Sequence, residues 1–322
     1  MKVTNVTGIP LTLAVWAVDD QYDYVSDPNY FSVTSLLKPI RQIVLQKRVN
    51  SSNLSTDVEE YLARAMGTSI HSSIEKAWTE NYRKNLKLLG YSDSMIDRIK
   101  INPSSEELKD DTIPIYLEQR NFKEVKGFKI GGKFDFIADG ILHDNKSTTT
   151  MKWTKGSSDE DYKLQGSLYR WLNQDKVKED FIRINFIFTD WSKLSAMKDS
   201  SYPQHRALYR DIPLLSIQET EAWLTQKLDL ISKYRDIPEP ELPLCTDEEL
   251  WRTPTKYKYF ANPEATRATK NFDTQIQAYR YMMIDKQGKG SIRVVKGEAR
   301  RCNYCSASSI CSQCKKMNTE NS

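Results

Sequence analysis

Asp135, Asp144 and Lys146 fall within one short stretch, Gly131–Ser147 (G-G-K-F-D-F-I-A-D-G-I-L-H-D-N-K-S), at a spacing that can do chemistry. Asp139-Gly140 is a two-residue turn signal, because Gly takes positive φ at little cost and Asp tolerates it. A hairpin closed there pairs Ala138 with Ile141 and runs the ladder back to set Asp135 opposite Asp144. Directly opposed residues share a face, with Cβ atoms roughly 4.5–5.5 Å apart. Like charges at that distance repel unless a cation sits between them. A divalent metal is the usual answer, and Lys146 returns to the same face two residues beyond Asp144. Phe134, Phe136 and Ala138 take the opposite face into a core. The layout suits metal-dependent hydrolysis of a phosphodiester.

The Asp144-Asn145-Lys146 triplet alone is weak. Other acid-x-Lys triplets occur, Glu124-Val125-Lys126 and Asp161-Tyr162-Lys163 among them, but only this one has a second carboxylate across a turn. Taken by itself it also fits a surface hairpin with solvated charges. Of the three histidines, His71 lies in the helical run G-T-S-I-H-S-S-I-E-K-A-W, with Glu75 one turn later on the same face. Imidazole plus two carboxylates fits Mg²⁺ or Mn²⁺ with positions left for water and phosphate. Gln165 and Tyr169 are again four apart on one helix. Gly166 between them costs roughly 1 kcal/mol against Ala and implies a close approach there.

Four of the five cysteines lie within Cys302–Cys314, and Cys245 is far upstream. The N-terminal run Ile9–Val18 is too short for an export signal and reads as a strand, so metal ligation is expected before disulfides. Zinc held by Cys302, Cys305, Cys311 and Cys314 is one reading, although the five-residue spacer is short for paired C-x-x-C sites.

These residues need elements to hold them. Ser32–Leu37 reads as a capped helix start, and Thr56–Leu89 is strongly helical through Tyr61, Leu62, Ala65, Met66, Ile70, Ile74 and Trp78. Ser92–Asp111 reads as a helix and an exposed connection. Strands follow at Ile115–Val125, Lys129–Ala138 and Ile141–Thr149. Then come a helix opened by Asp159-Glu160-Asp161, a central strand Phe181–Thr189 and a helix Ser216–Tyr234. Pro238, Pro240 and Pro243 mark the edge of a core spanning residues 1–240. Residues 241–322 form a cysteine-bearing section expected to pack back on it, with a helix near Phe272–Ile284 and a strand Ser291–Val295. The order predicts an α/β fold, a central mixed sheet flanked by helices.

At 322 residues, with 28% charged and 39% hydrophobic, the composition is that of a globular domain or two. The net charge of +4 is a weak hint of a polyanion, because 47 basic and 43 acidic residues nearly cancel. Basic residues crowd the C-terminal end, including Arg300 and Arg301. In Lys256-Tyr257-Lys258-Tyr259, strand alternation puts lysines on one face and tyrosines on the other. That suits phosphate contacts beside stacking rings, or an edge strand guarded by lysine. No apolar run is long enough to cross a bilayer, so a cytoplasmic setting, in a bacterium or a phage-infected host cell, is expected. No phosphate-binding G-x-x-x-x-G-K-[ST] loop accompanies the other motifs.

Taken in order, His71 with Glu75, Asp135, Asp144-x-Lys146 and Gln165-x-x-x-Tyr169 resemble the motif series of the PD-(D/E)XK nuclease superfamily, in its RecB-like exonuclease branch. The resemblance spans roughly Ser32 to Asp190 and implies a restriction-endonuclease-like core. It implies that His71, Asp135, Asp144 and the Asn145 backbone carbonyl bind the catalytic Mg²⁺ or Mn²⁺, and that Lys146 orients the attacking water. Gln165 and Tyr169 would hold the substrate strand or the lysine. Glu75 would serve a second metal or support the first. Cys302-x-x-Cys305-x₅-Cys311 with Cys245 resembles the C-terminal [4Fe–4S] staple of iron–sulfur nucleases, although Cys245 follows the nuclease motifs where the lone cysteine of several relatives precedes them. The implied activity is a metal-dependent DNA exonuclease in recombination, repair or phage DNA processing, with a recombinase, helicase or single-strand-binding protein as partner. The alternatives are an endonuclease or nickase with the same site, and an inactive zinc-containing nucleic-acid-binding module.

Overall fold

The computed structural model describes residues 2–20, 23–50, 55–156, 158–285 and 288–319, so the last three residues of the expected C-terminal section lie outside it. The fold is mixed α/β, with helices and several sheets. The chain divides into two compact units, one of residues 1–37 and 50–228, the other of residues 38–49 and 229–322. The expected boundary after residue 240 therefore moves to residue 228, and an early helix, Ile40–Gln46, joins the second unit. Its Val44 and Leu45 are buried with Leu242, Leu250 and three cysteines, which is why the early segment belongs there.

In the first unit a six-stranded sheet runs in the order Ala207–Pro213, Phe181–Phe188, Ile141–Thr148, Phe136–Ala138, Ile113–Leu117, Ile99–Ile101. The pairings are mixed: Phe181–Phe188 is parallel to Ile141–Thr148, and the hairpin partners are antiparallel. A three-stranded sheet of Tyr30–Ser32, Phe128–Lys133 and Arg120–Val125 lies in the same unit. Two long predicted strands are thus broken. One breaks between Leu117 and Arg120, the other between Lys133 and Phe136, and the halves enter different sheets. At this corner Glu118 takes a positive φ of 50° and its N–H donates to the Asp135 carbonyl at 3.1 Å. A bend that switches sheets needs such a local departure from extended backbone.

The 22-residue helix Glu59–Glu80 and the shorter Tyr82–Leu88 occupy the predicted helical run. Trp78 meets Phe136 edge-on at 5.2 Å, which ties the long helix to the hairpin strand. In the helix Asp159–Leu172, a Cβ on Gly166 would stand 2.7 Å from Leu214 and 2.9 Å from Ile182, so the close approach expected there is present. The run expected as a strand, Ile9–Val18, is instead helical over Leu11–Val18. Its Ala14 and Ala17 are buried with Val58 and Ala65. Small residues three apart let two helices approach, and this outweighs the short alternation of types.

In the second unit, Lys256–Phe260 is the middle strand of a three-stranded sheet, antiparallel to both Lys270–Phe272 and Ser291–Val295. It is not the edge strand that the lysines suggested. Among the described residues, no helix is long and apolar enough to cross a membrane.

Candidate metal and cysteine sites

The hairpin forms as its turn demands. Asp139 and Gly140 take φ of 48° and 81°, Ala138 pairs with Ile141, and the antiparallel ladder runs back to Phe136 opposite His143. One step further, Asp135 and Asp144 meet through the backbone: the Asn145 N–H donates to Asp135 Oδ2 at 2.9 Å. Lys146 Nζ lies 2.6 Å from Asp144 Oδ2, and Gln165 Nε2 donates to Asp144 Oδ1 at 3.1 Å. Asp144 is 3% exposed, and among the described residues its Oδ2 has the lysine as an ion-pair partner but no hydrogen bond.

His71 comes from the long helix, and its Nδ1 lies 3.3 Å from Asp135 Oδ2. That helix runs close to the strand: a Cβ on Gly67 would meet Ser147 Oγ at 4.0 Å. Glu118 completes the group from the corner between sheets. One ligand atom each of His71, Glu118 and Asp135 lie within 4.8 Å of one another. Lys133 Nζ is 2.5 Å from Glu118 Oε2. Sequence reasoning missed Glu118, because it lies inside a predicted strand without a motif partner; the signal was its place in a strand that must turn toward Asp135.

The electrostatics are those of acids forced together. The hydrogen bond that His71 donates to Asp135 raises its imidazole above its ordinary value against its burial. Burial works to raise Asp135, but His71, Lys146 and the Asn145 N–H hold it below the usual carboxylate range. Burial and the neighbouring Asp135 push Asp144 up against the pull of Lys146. Burial opposes the charge on Lys146, yet Asp144 and Asp135 raise it above its ordinary value. Burial likewise raises Glu118, with Asp135 and Glu75 adding to it and Lys133 opposing. Three carboxylates crowded together, two of them pushed up by burial and by a neighbouring acid, favour a cation at the site.

The other predicted residues scatter. Glu75 sits one turn from His71 and acts electrostatically on Glu118. Gln165 and Tyr169 are both buried, so neither is an exposed strand contact; Gln165 holds Asp144, and the Tyr169 ring packs where a Cβ on Gly132 would come within 2.6 Å of it. Tyr259 is fully buried, donates to Asp285 Oδ2 at 3.0 Å and meets Tyr281 edge-on, which removes it as a stacking ring. Tyr257 and Lys258 are half-buried, Lys256 is exposed but paired with Asp273, and Arg300 is exposed. Arg301 is half-buried, with its guanidinium 4.2 Å over the Trp251 ring, and it lines the cavity that the cysteines share.

All five cysteines are free thiols and line one cavity of about 20 Å³ with Arg41, Arg301 and Gln313. Gln313 clasps Cys245 by both backbone groups, accepting its N–H and donating to its carbonyl, each at 2.9 Å. This clasp brings the distant cysteine to the C-terminal group. Burial first, with Glu249 and the neighbouring thiols, pushes Cys245 up to about 12. Burial, with Cys302, does the same to Cys314. Among the described residues no three cysteine sulfurs lie within 4.8 Å of one another. The Arg301 Nε is buried without a partner among the described residues.

No family model matches the sequence, and no curated protein matches it. Among solved structures, the chain is similar to one described as the crystal structure of SSO0001. The two are 15% identical, with a TM-score of 0.42, over 68% of this chain and 85% of that one.

Proposed function

We propose that the chain is a metal-dependent deoxyribonuclease that degrades DNA from its ends. Its first unit would be a restriction-endonuclease-like core of the PD-(D/E)XK type. The observation that carries this reading is the meeting of His71, Glu118 and Asp135 with the Asp144–Lys146 pair across one hairpin and one helix. Oxygen and imidazole ligands beside the buried Asp144 carboxylate suit a hard divalent cation. His71, Asp135 and Asp144 would hold Mg²⁺ or Mn²⁺, with Glu118 as a further ligand. When bound, such an ion polarises a phosphoryl oxygen and eases deprotonation of water.

The chain's own residues supply the rest. Gln165 fixes Asp144 through Oδ1, while Lys146 pairs with its Oδ2. Lys146 remains protonated, places positive charge where negative charge builds on the phosphate, and can orient a water by hydrogen bonding. The Asn145 N–H holds Asp135 in the orientation that His71 also uses.

The cysteine cavity is read as a [4Fe–4S] site held by Cys245, Cys302, Cys305 and Cys311. Arg301, which lines the thiol cavity and whose Nε is buried without a hydrogen-bond partner among the described residues, is compatible with an anionic guest. Zinc at Cys302, Cys305, Cys311 and Cys314 is the rival, and metal analysis decides between them.

The test is digestion of end-labelled linear DNA, single- and double-stranded, beside a covalently closed circle, with Mg²⁺ or Mn²⁺. Progressive loss from the ends with the circle intact is expected. A nicked or linearised circle would make the enzyme an endonuclease. Normal cutting by both Asp144→Ala and Lys146→Ala, or no cutting by the natural chain on any substrate, would overturn the reading.

A further inference from the structure

We propose that Arg41 is a positioning residue for the iron–sulfur group, holding Cys311 in place as a ligand and setting the group's reduction potential. This rests on the reading of the cysteine cavity given above. Arg41 is 2% exposed and heads the large side chains that are fully buried. It stands on the helix Ile40–Gln46, some 270 residues before the sulfur it meets. Its Nε donates to Cys311 Sγ at 3.2 Å, its Nη1 to the Leu242 carbonyl at 3.0 Å, and its Nη2 to Ser312 Oγ at 3.2 Å and to Glu239. Every edge of the guanidinium fork is used, so its position is fixed.

Glu239 ties the same residues from the other side. Its Oε1 accepts the Ser312 N–H at 3.0 Å and the Ser312 hydroxyl at 2.9 Å. The Arg41–Glu239 pair thus grips Cys311 through its sulfur and through the residue that follows it. Beside this pair the cavity wall holds Leu45, Leu250 and Ala307 together with the thiols, Gln42, Gln313 and a second guanidinium, Arg301. An aliphatic side chain would fill such a place without the desolvation that a buried guanidinium suffers. A cation is understandable there if the guest is an anion, and a cluster with four thiolate ligands is one.

The consequence is electronic as well as structural. Hydrogen bonds to ligand sulfur and nearby positive charge favour the more negative, reduced cluster and raise its potential. Glu239 opposes part of that charge. Arg41→Gln should therefore lower the potential, and Glu239→Gln should raise it. Arg41→Lys, which keeps the charge but loses the planar fork, should fall between the natural chain and Arg41→Gln. A purely structural role would change cluster content or stability without moving the potential in opposite directions.

The experiment uses the full chain purified without oxygen. Iron and acid-labile sulfide are measured first, and the one-electron reduction of the cluster is then titrated with dithionite and mediators, followed by absorbance and by paramagnetic resonance. A natural chain without iron and sulfide ends the cluster reading, and this proposal with it. Loaded variants with the natural potential end the Arg41 proposal and leave the cluster standing. Should Arg41→Gln fail to load, Glu239→Gln decides alone: a raised potential supports the assignment, and an unchanged one overturns it.

Discussion

The two candidate sites are opposites in chemistry and in enclosure. The hairpin site collects oxygen and nitrogen ligands, with side chains ranging from 4% exposed at Asp144 to 29% at His71 and Lys146. The cysteine site collects sulfur, and Cys302, Cys311 and Cys314 are all nearly closed to solvent. Graded exposure leaves positions for water and a phosphate, as a site that turns over substrate requires. Cys245 and Cys305 are half-buried, so the set is deep but not sealed, as suits the structural group proposed for it. The difference teaches that the two proposed roles rest on ligand type together with depth, and on neither alone.

Breaking one site should leave the other intact. The largest effect is expected at the hairpin: Asp144→Ala or Lys146→Ala should slow DNA cleavage by about 10³-fold or more, while the iron content stays natural. Initial rates on end-labelled DNA, with iron analysis on the same samples, check this. The reverse experiment is Cys302→Ser or Cys311→Ser. Iron should be lost, and the melting temperature measured by circular dichroism should fall by roughly 10 °C, as loss of a few kcal/mol does in a unit of this size. Cleavage that collapsed while the melting temperature held would contradict a structural role for the cysteines.

A smaller effect sharpens the first site. Glu118→Gln should raise the Mn²⁺ concentration for half-maximal cleavage by roughly tenfold, the usual scale for losing a supporting ligand. An unchanged requirement would remove Glu118 from the metal's shell. The smallest expected effect concerns His143, on the hairpin but paired through Asn185. Burial, with Arg183 nearby, pushes its imidazole down to about 4 from an ordinary 6.5. The unfolded chain takes up a proton below about 6.5 while the folded chain does not. Stability is thus full above that pH and is lost as pH falls toward 4. Melting curves of His143→Gln between pH 4.5 and 7 should show a shallower acid loss than the natural chain.

Much of this was legible from local signals. The turn at Asp139-Gly140, the long helix around His71 and the glycine at 166 all follow from short-range rules, and the structure places each as those rules require. The failures share a cause, in that tertiary contacts decided them. Leu11–Val18 became a helix because Ala14 and Ala17 found Val58 and Ala65. Tyr259 went inside because its strand gained a partner on each side. Glu118 stayed hidden because the break in its strand is fixed by a contact with Asp135, and only a strand obliged to turn toward that residue could have signalled it. Cys245 was legible as a partner of the C-terminal cysteines, but the helix Ile40–Gln46 beside them was not, since its Arg41 meets Cys311 270 residues further on.

The hairpin turn has one more consequence. Side chains alternate across a strand, so its two-residue length works as a ruler for the chemistry. One residue inserted between Asp139 and Gly140 would slide the ladder by a step and set Asp135 against His143 instead of Asp144. Gly140 tolerates no replacement either, because a Cβ there would press within 2.9 Å of Lys178. An insertion at that point would delete the site while leaving every ligand in the sequence.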